Sequence, residues 1–235
     1  MIAKKIHYCW FGKSELSIEA KRYIKTWEKK MPDYELVLWN EENFDIESIQ
    51  YVREAYEAKK FAFVSDYVRL YALFHQGGIY LDTDVEVIKS FDGFLKHSMF
   101  LGYEGNKALG TGIIGATKGH PVIKDLLEFY QKKSFVLAKG KLNTIANTKL
   151  FSDYAKKKLG WIPKNEFQLL KKDVAIYAFH VFCAKDWRTG EVKNQTDTYT
   201  IHHYQASWMD KRKKIIYIIK KIVFRVLKLF MKMDY

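Results

Sequence analysis

Cysteine and proline are almost missing from this chain, with two and three among 235 residues. Neither Cys9 nor Cys183 has a CxxC partner, which excludes zinc ribbons and paired redox thiols. Both sit in aromatic surroundings, Tyr8-Cys9-Trp10 and Phe182-Cys183-Ala184, and read as buried, reduced thiols of a reducing compartment. So few prolines, with only thirteen glycines, argue for long regular elements. They exclude a disulfide-stapled miniprotein and a collagenous or low-complexity chain. Internal repeats and linkers are missing too. No signal peptide precedes the first strand, so the expectation is a cytoplasmic protein.

Acidic residues are also in short supply. Twenty-seven stand against 40 Lys and Arg, for a formal charge of +13. The excess is local. Residues 211–235 carry nine basic residues and one acid, Asp234, whereas residues 1–210 carry only +5. A nucleic-acid-binding body is therefore not implied. What is plentiful is apolar surface, 48% hydrophobic and 16% aromatic, enough for the core of one α/β domain.

The pattern predicts a strand at 4–11, a helix at about 15–30 and a strand at 34–39, the opening of a β-α-β unit that favours a parallel sheet. Residues 46–59 read as a charged helix. Residues 61–76 read as a nearly all-apolar helix stopped by Gly77-Gly78. A short apolar strand at 79–81 runs into Asp82-Thr83-Asp84 and a continuation at 85–88. A strand at 99–103, a glycine-rich segment at 110–119 and a helix opened by Pro121 follow. Residues 140–175 show little pattern, and 199–204 look like a last strand.

Asp82-Thr83-Asp84 is the sharpest local feature. In extended chain, residues i and i+2 project to one side, so both carboxylates converge. Two such charges beside a buried strand are costly unless a cation neutralises them. Mg²⁺ and Mn²⁺ take one or two carboxylates and complete their shell with water and phosphate oxygens. The strand's carboxyl end is where open α/β sheets place ligands. Taken alone, Asp-x-Asp describes a solvated turn equally well. Asp66 and Arg69, three apart on an apolar helix, form either a plain ion pair or a grip on a diphosphate and its sugar. In Thr200-Ile201-His202-His203-Tyr204-Gln205-Ala206-Ser207-Trp208, adjacent strand histidines point to opposite faces, so at most one meets a given metal. Trp208 alone reads as packing.

Together, four ordered segments resemble glycosyltransferase family 32. They are Ile6-His7-Tyr8-Cys9-Trp10-Phe11-Gly12, Phe63-Val64-Ser65-Asp66-Tyr67-Val68-Arg69, Gly77-Gly78-Ile79-Tyr80-Leu81-Asp82-Thr83-Asp84-Val85 and Ile201 to Trp208. That group includes yeast mannosyltransferases and bacterial capsule and lipopolysaccharide enzymes, and is more distantly similar to the glucosylating domains of clostridial toxins. The resemblance covers residues 4–131 and 177–208. It implies a GT-A fold, an α/β Rossmann-like layout with a mixed, mostly parallel sheet flanked by helices. It also implies a nucleotide-sugar donor, Mn²⁺ or Mg²⁺, and transfer with retention. By position, Trp10 stacks on the base, Asp66 and Arg69 hold the donor sugar, and Tyr80 lines the pocket. Asp82 meets ribose and metal, Asp84 binds the metal, and Ser207 and Trp208 close over the diphosphate. Spacing to Trp208 favours His203 for the metal, with His202 close behind. Many relatives carry a Thr-Gly-Pro turn on the acceptor side. The matching region here, 143–151, has Asn147-Thr148-Lys149 and neither Gly nor Pro.

Residues 211–235 hold no apolar run longer than five, too short for a membrane span. Lys214, Lys221, Arg225, Lys228 and Lys232 share a helical stripe, with Ile215, Ile219, Ile222, Val226, Leu229 and Phe230 opposite. This is the pattern of an amphipathic helix lying on an anionic membrane; the rival is a helix packed on its own domain. The expectation is thus a catalytic domain over 1–210 and a membrane-associating helix over 211–235. The enzyme expected is a hexosyltransferase at the inner face of the cell membrane, moving a hexose from a nucleotide sugar, UDP-linked by likeness to the toxins, to a lipid-linked glycan in surface polysaccharide synthesis. Rival readings are a non-catalytic membrane- or nucleic-acid-binding protein and a nucleotide-sugar hydrolase.

Overall fold

A computed structural model describes residues 1–105, 107–193 and 195–205, together with Ile219 and Ile222. A seven-stranded sheet in the order β2-β1-β3-β6-β5-β8-β7 forms its centre. Strand β1 (Lys5–Cys9) leads into helix α1 (Ile18–Lys30) and back to β2 (Glu35–Trp39), which pairs parallel with β1. The expected β-α-β unit is therefore present. Ser17 starts α1 by accepting from the Ala20 amide at 3.1 Å, satisfying one of the donors a helix start leaves free. The charged stretch after β2 is not one helix: a 3₁₀ turn at Ile46–Ser48 precedes a short α2 (Gln50–Glu57).

Helix α3 (Phe61–Gln76) matches its predicted bounds, and Gly77, at φ 68°, takes the left-handed conformation that ends it. Strand β3 (Gly78–Leu81) then enters the sheet parallel to β1. The continuation after the acidic motif, β4 (Val85–Val87), departs from expectation. It leaves the main sheet and pairs antiparallel with β9 (Thr200–His202), with Val85 opposite His202. This second, two-stranded sheet brings the end of the domain back to the acidic motif.

Strand β5 (Met99–Glu104) pairs antiparallel with β6 (Ala108–Ala116). The glycine-rich segment is thus an internal strand of the sheet, bonded on one side to β3 and on the other to β5. Its glycines stand where neighbours come close. A Cβ on Gly115 would fall 2.1 Å from the Phe100 ring. Helix α4 (Pro121–Gln131) begins at the proline. The poorly patterned region holds α5 (Asn147–Tyr154), β7 (Gln168–Leu170) and β8 (Val174–Tyr177), and a short α6 (Phe179–Phe182) follows. Strands β2, β1, β3, β5 and β8 run one way and β6 and β7 the other. The sheet is mixed and mostly parallel, as expected.

One face packs on α2, α3, α4 and α5 through residues such as Val52, Val64, Leu73 and Leu126. The other packs on α1 and α6 through Trp27, Phe91, Phe94, Phe100 and Phe182. Cys9 and Cys183 are both buried and unbridged. Burial pushes the Cys9 thiol up to about 12, so it is protonated and inert at neutral pH.

Candidate functional site

The buried face of α3 carries one ion pair. Arg69 meets Asp66 at 2.9 Å and Asp82 at 3.4 Å, and both Arg69 and Asp66 are buried. The remaining guanidinium donors reach the carbonyls of Thr111 at 2.6 Å and Ser65 at 3.3 Å. The Thr111 carbonyl is free because β6 slips out of register with β5 between Leu109 and Ile114. Asp82 uses the same irregularity, its amide donating to the Gly112 carbonyl at 2.8 Å. Arg69 also lies 4.5 Å from the centre of the Tyr80 ring, and the Tyr80 hydroxyl donates to Asp82 at 2.9 Å.

Burial disfavours charge on the Asp66 carboxyl, and its proximity to Asp82 adds to this. Arg69 and the Asn147 amide pull the other way, leaving it at about 6. Burial also works against the Arg69 guanidinium, but the carboxylates around it hold its pKa well above the usual value. The pair is therefore fixed in place, with few donors left to lose.

Asp82, Asp84 and His202 offer ligand atoms that all lie within 4.8 Å of one another. The β4–β9 register explains this convergence, because it sets His202 opposite the residue that follows Asp84. His202 Nε2 lies 3.0 Å from Asp84 Oδ1, and the Gln205 amide donates to Asp84 Oδ2 at 2.9 Å. Burial alone would raise the Asp84 carboxyl; His202 and that amide bring it down to about 2. Burial opposes protonation of His202, yet Asp84 raises it well above the ordinary imidazole value. Gly112 leaves room for the cluster. A Cβ there would lie 2.9 Å from Asp82 Oδ2 and 3.0 Å from His202 Cε1.

The donor set fits a hard divalent cation such as Mn²⁺ or Mg²⁺: two carboxylates, a borderline nitrogen and no thiolate. Arg69 and His202 supply the positive charge that faces those carboxylates in the protein alone.

The histidine expectation needs correction. His202 joins the carboxylates; His203, which the spacing to Trp208 favoured, points elsewhere. It bonds Glu86 at 2.8 Å, approaches Lys185 at 3.2 Å and stacks on Tyr23 at 4.5 Å. The alternation of the strand puts only one of the pair on the metal side. Trp10 stands just beyond the carboxyl end of β1, half-buried, with its indole N–H on the Ser14 carbonyl. Ser207, Trp208 and the basic stripe of 211–235 lie outside the described residues.

Sequence reasoning missed Asn147 as a site residue. Its buried side chain donates to Asp66 at 3.2 Å from the first turn of α5, and its carbonyl oxygen is buried without a partner among the described residues. The segment lacking Thr-Gly-Pro thus reaches into the site after all. Gly112 and Thr111 were missed as well, because nothing local marks a glycine or a carbonyl as part of a site.

Residues 17–101 match the family described as the glycosyltransferase sugar-binding region containing a DXD motif. Inositol phosphoceramide mannosyltransferase 3 of Schizosaccharomyces pombe is 30% identical over 106 residues, covering 42% of this chain and 30% of that protein. An uncharacterized glycosyltransferase of Acanthamoeba polyphaga mimivirus is 26% identical, covering 95% of this chain and 91% of the other. The chain spans about a third or less of the length of the fungal ceramide mannosyltransferases it matches. Among solved structures, PaToxG glycosyltransferase superposes with a TM-score of 0.51 at 20% identity, covering 67% of this chain and 69% of the other. The shared architecture is that of a glycosyltransferase fold.

Proposed function

We propose that this chain, whose residues 17–101 match the glycosyltransferase sugar-binding region containing a DXD motif, is a metal-dependent, retaining hexosyltransferase. In this reading it moves a sugar from a nucleoside diphosphate to a lipid-linked glycan, working at the inner face of the cell membrane in surface polysaccharide synthesis. The observation that carries the reading is the meeting of Asp82, Asp84 and His202 beside the buried Asp66–Arg69 pair. Likeness to the toxin domains favours a UDP-sugar. The fungal relatives, which are inositol phosphoceramide mannosyltransferases, favour a lipid-borne acceptor.

Asp82, Asp84 and His202 would hold a Mn²⁺ or Mg²⁺ ion. When bound, that ion supplies positive charge for the departing diphosphate, a role an acid would otherwise fill. The protein's own groups do the rest. Arg69 is held by two carbonyls and two carboxylates, so its charge is preorganised and needs no rearrangement as negative charge develops. Asp66, fixed by Arg69 and Asn147, presents oxygens to sugar hydroxyls. The apolar flanks of α3 and β3 keep water from this pair, which strengthens each interaction. The carboxylates of Asp66 and Asp82 are both engaged by Arg69, which favours attack by the acceptor hydroxyl from the face the diphosphate leaves over a carboxylate nucleophile.

The test is nucleotide release from a panel of UDP-hexoses and GDP-mannose, with and without Mn²⁺. Release that requires Mn²⁺ and falls at least 100-fold in Asp84→Asn is expected. Equal release by the variant and the parent would sink the proposal.

A further inference from the structure

Two polar groups beside the Asp82–Asp84–His202 cluster are incompletely paired among the described residues. Glu104 ends β5. Its half-buried carboxylate makes no hydrogen bond and no ion pair among the described residues. Burial raises its pKa above the ordinary carboxyl value, and His202, Asp82 and Asp84 all lie close enough to act on it. Tyr204 follows β9 in a left-handed conformation, φ 52°, and stacks on the His202 ring at 4.1 Å. Its hydroxyl is buried, lies in the field of Glu104 and Asp84, and finds no oxygen or nitrogen partner among the described residues, only a weak contact with the Cys183 thiol.

Strand β6 provides the floor between these groups. A Cβ on Gly110 would meet Glu104 at 3.4 Å, and one on Gly112 would meet Asp82 and His202. The two glycines are two residues apart, at most about 7 Å in extended chain. The cluster and Glu104 are therefore neighbours over a strip of backbone that carries no side chain at either glycine. Asp66 and Asn147 belong to a different group, on α3 and α5.

Leaving a buried polar group poorly paired costs about 1–3 kcal/mol, a cost that falls on the Tyr204 hydroxyl, while the half-buried Glu104 carboxylate beside it stays open to a ligand. A carboxylate only accepts, and a phenol both donates and accepts. Adjacent hydroxyls of a pyranose offer both donors and acceptors. An anionic ligand is disfavoured, because Glu104, Asp82 and Asp84 already concentrate negative charge there.

We propose that Glu104 and Tyr204, over the Gly110–Gly112 floor, form the subsite that binds hydroxyls of a neutral sugar acceptor. This rests on the glycosyltransferase reading and names the part of the molecule that reads the acceptor. Glu104 accepts a hydrogen bond from one acceptor hydroxyl, and the Tyr204 hydroxyl pairs with its neighbour.

The experiment measures nucleotide release by the full chain, with Mn²⁺ and the donor found active, in water alone and with methyl α- and β-glycosides of glucose, galactose and mannose. At least one glycoside is expected to accelerate release by the parent protein. In Glu104→Gln and Tyr204→Phe, the KM for that glycoside should rise about tenfold more than the KM for the donor. Failure of every glycoside to stimulate the parent overturns the sugar-subsite assignment while leaving the transferase reading standing. Equal shifts in both KM values also overturn it, by placing the two groups on the donor side. Absence of any Mn²⁺-dependent release removes the transferase reading and this inference together. Glu104→Asp, which keeps the charge on a shorter stem, should recover part of the loss; a variant that merely damages folding would show no such recovery.

Discussion

Asp66 carries a cost that its apolar neighbours on α3 do not. Its folded pKa of about 6 stands above the ordinary value of 3.8 because burial disfavours its charge. A raised carboxyl pKa stabilises the fold below the unfolded value, and that contribution is lost as pH climbs through the folded value. Between pH 4 and 6 the unfolded chain releases this proton while the folded chain keeps it, so stability falls across that window. Two units correspond to about 3 kcal/mol at most. Asp66→Asn has no such proton to keep. Urea unfolding of both proteins at pH 4 and pH 6.5 should show the variant gaining on the parent by roughly 2–3 kcal/mol as pH rises. A constant difference between them would mean that water reaches Asp66.

At the scale of elements, β6 is the clearest case, because two of its glycines stand at different tasks three residues apart. Gly112→Ala would push a methyl against Asp82 and His202. Mn²⁺ affinity, read by calorimetry, should fall at least tenfold. Gly115→Ala would instead drive a methyl into the Phe100 ring in the core. That overpacking costs about 1–3 kcal/mol, at some 2–4 °C of Tm per kcal/mol, with Mn²⁺ affinity close to the parent's. Equal metal affinities in the two variants would break the link between Gly112 and the cluster. This strand also shows why part of the fold was hard to read in the sequence. Three glycines between 108 and 116 look like a loop, since glycine weakens strands by propensity, and only the neighbours reveal why it is there. Asp66 and Arg69 were legible because helix spacing alone brings them together; Asp82 and Asp84 were flagged by their i, i+2 spacing, but they converge across a turn after β3, closed by the Val85 amide on the Asp82 carbonyl, rather than along an extended strand. The choice of His202 over His203 depends on the β4–β9 register, and Asn147 reaches the site through the packing of α5 on β6. Such contacts between distant segments leave no local trace.

At the scale of the whole molecule, charge divides the chain more sharply than fold does. The body is near balance, and residues 211–235 hold most of the excess. No helix among the described residues is long and apolar enough to cross a membrane; the proposed attachment is a surface contact made by residues 211–235. Each Lys or Arg near an anionic bilayer contributes about 1 kcal/mol, and this contribution fades with salt. Replacing three members of the basic stripe at once, Lys221→Ser, Arg225→Ser and Lys228→Ser, should therefore weaken sedimentation with phosphatidylglycerol-containing vesicles by up to about 100-fold at low salt. Neutral phosphatidylcholine vesicles should bind the parent and the triple variant almost alike. The substituted positions fall in residues 211–235, outside the 1–210 range proposed as the catalytic domain, so Mn²⁺-dependent release from a soluble donor tests a separate property of the same protein. Vesicle binding that ignores both the substitutions and the salt would assign residues 211–235 to packing on their own domain. Tighter binding to DNA than to vesicles, with steep salt dependence, would instead make the basic stripe a nucleic-acid contact.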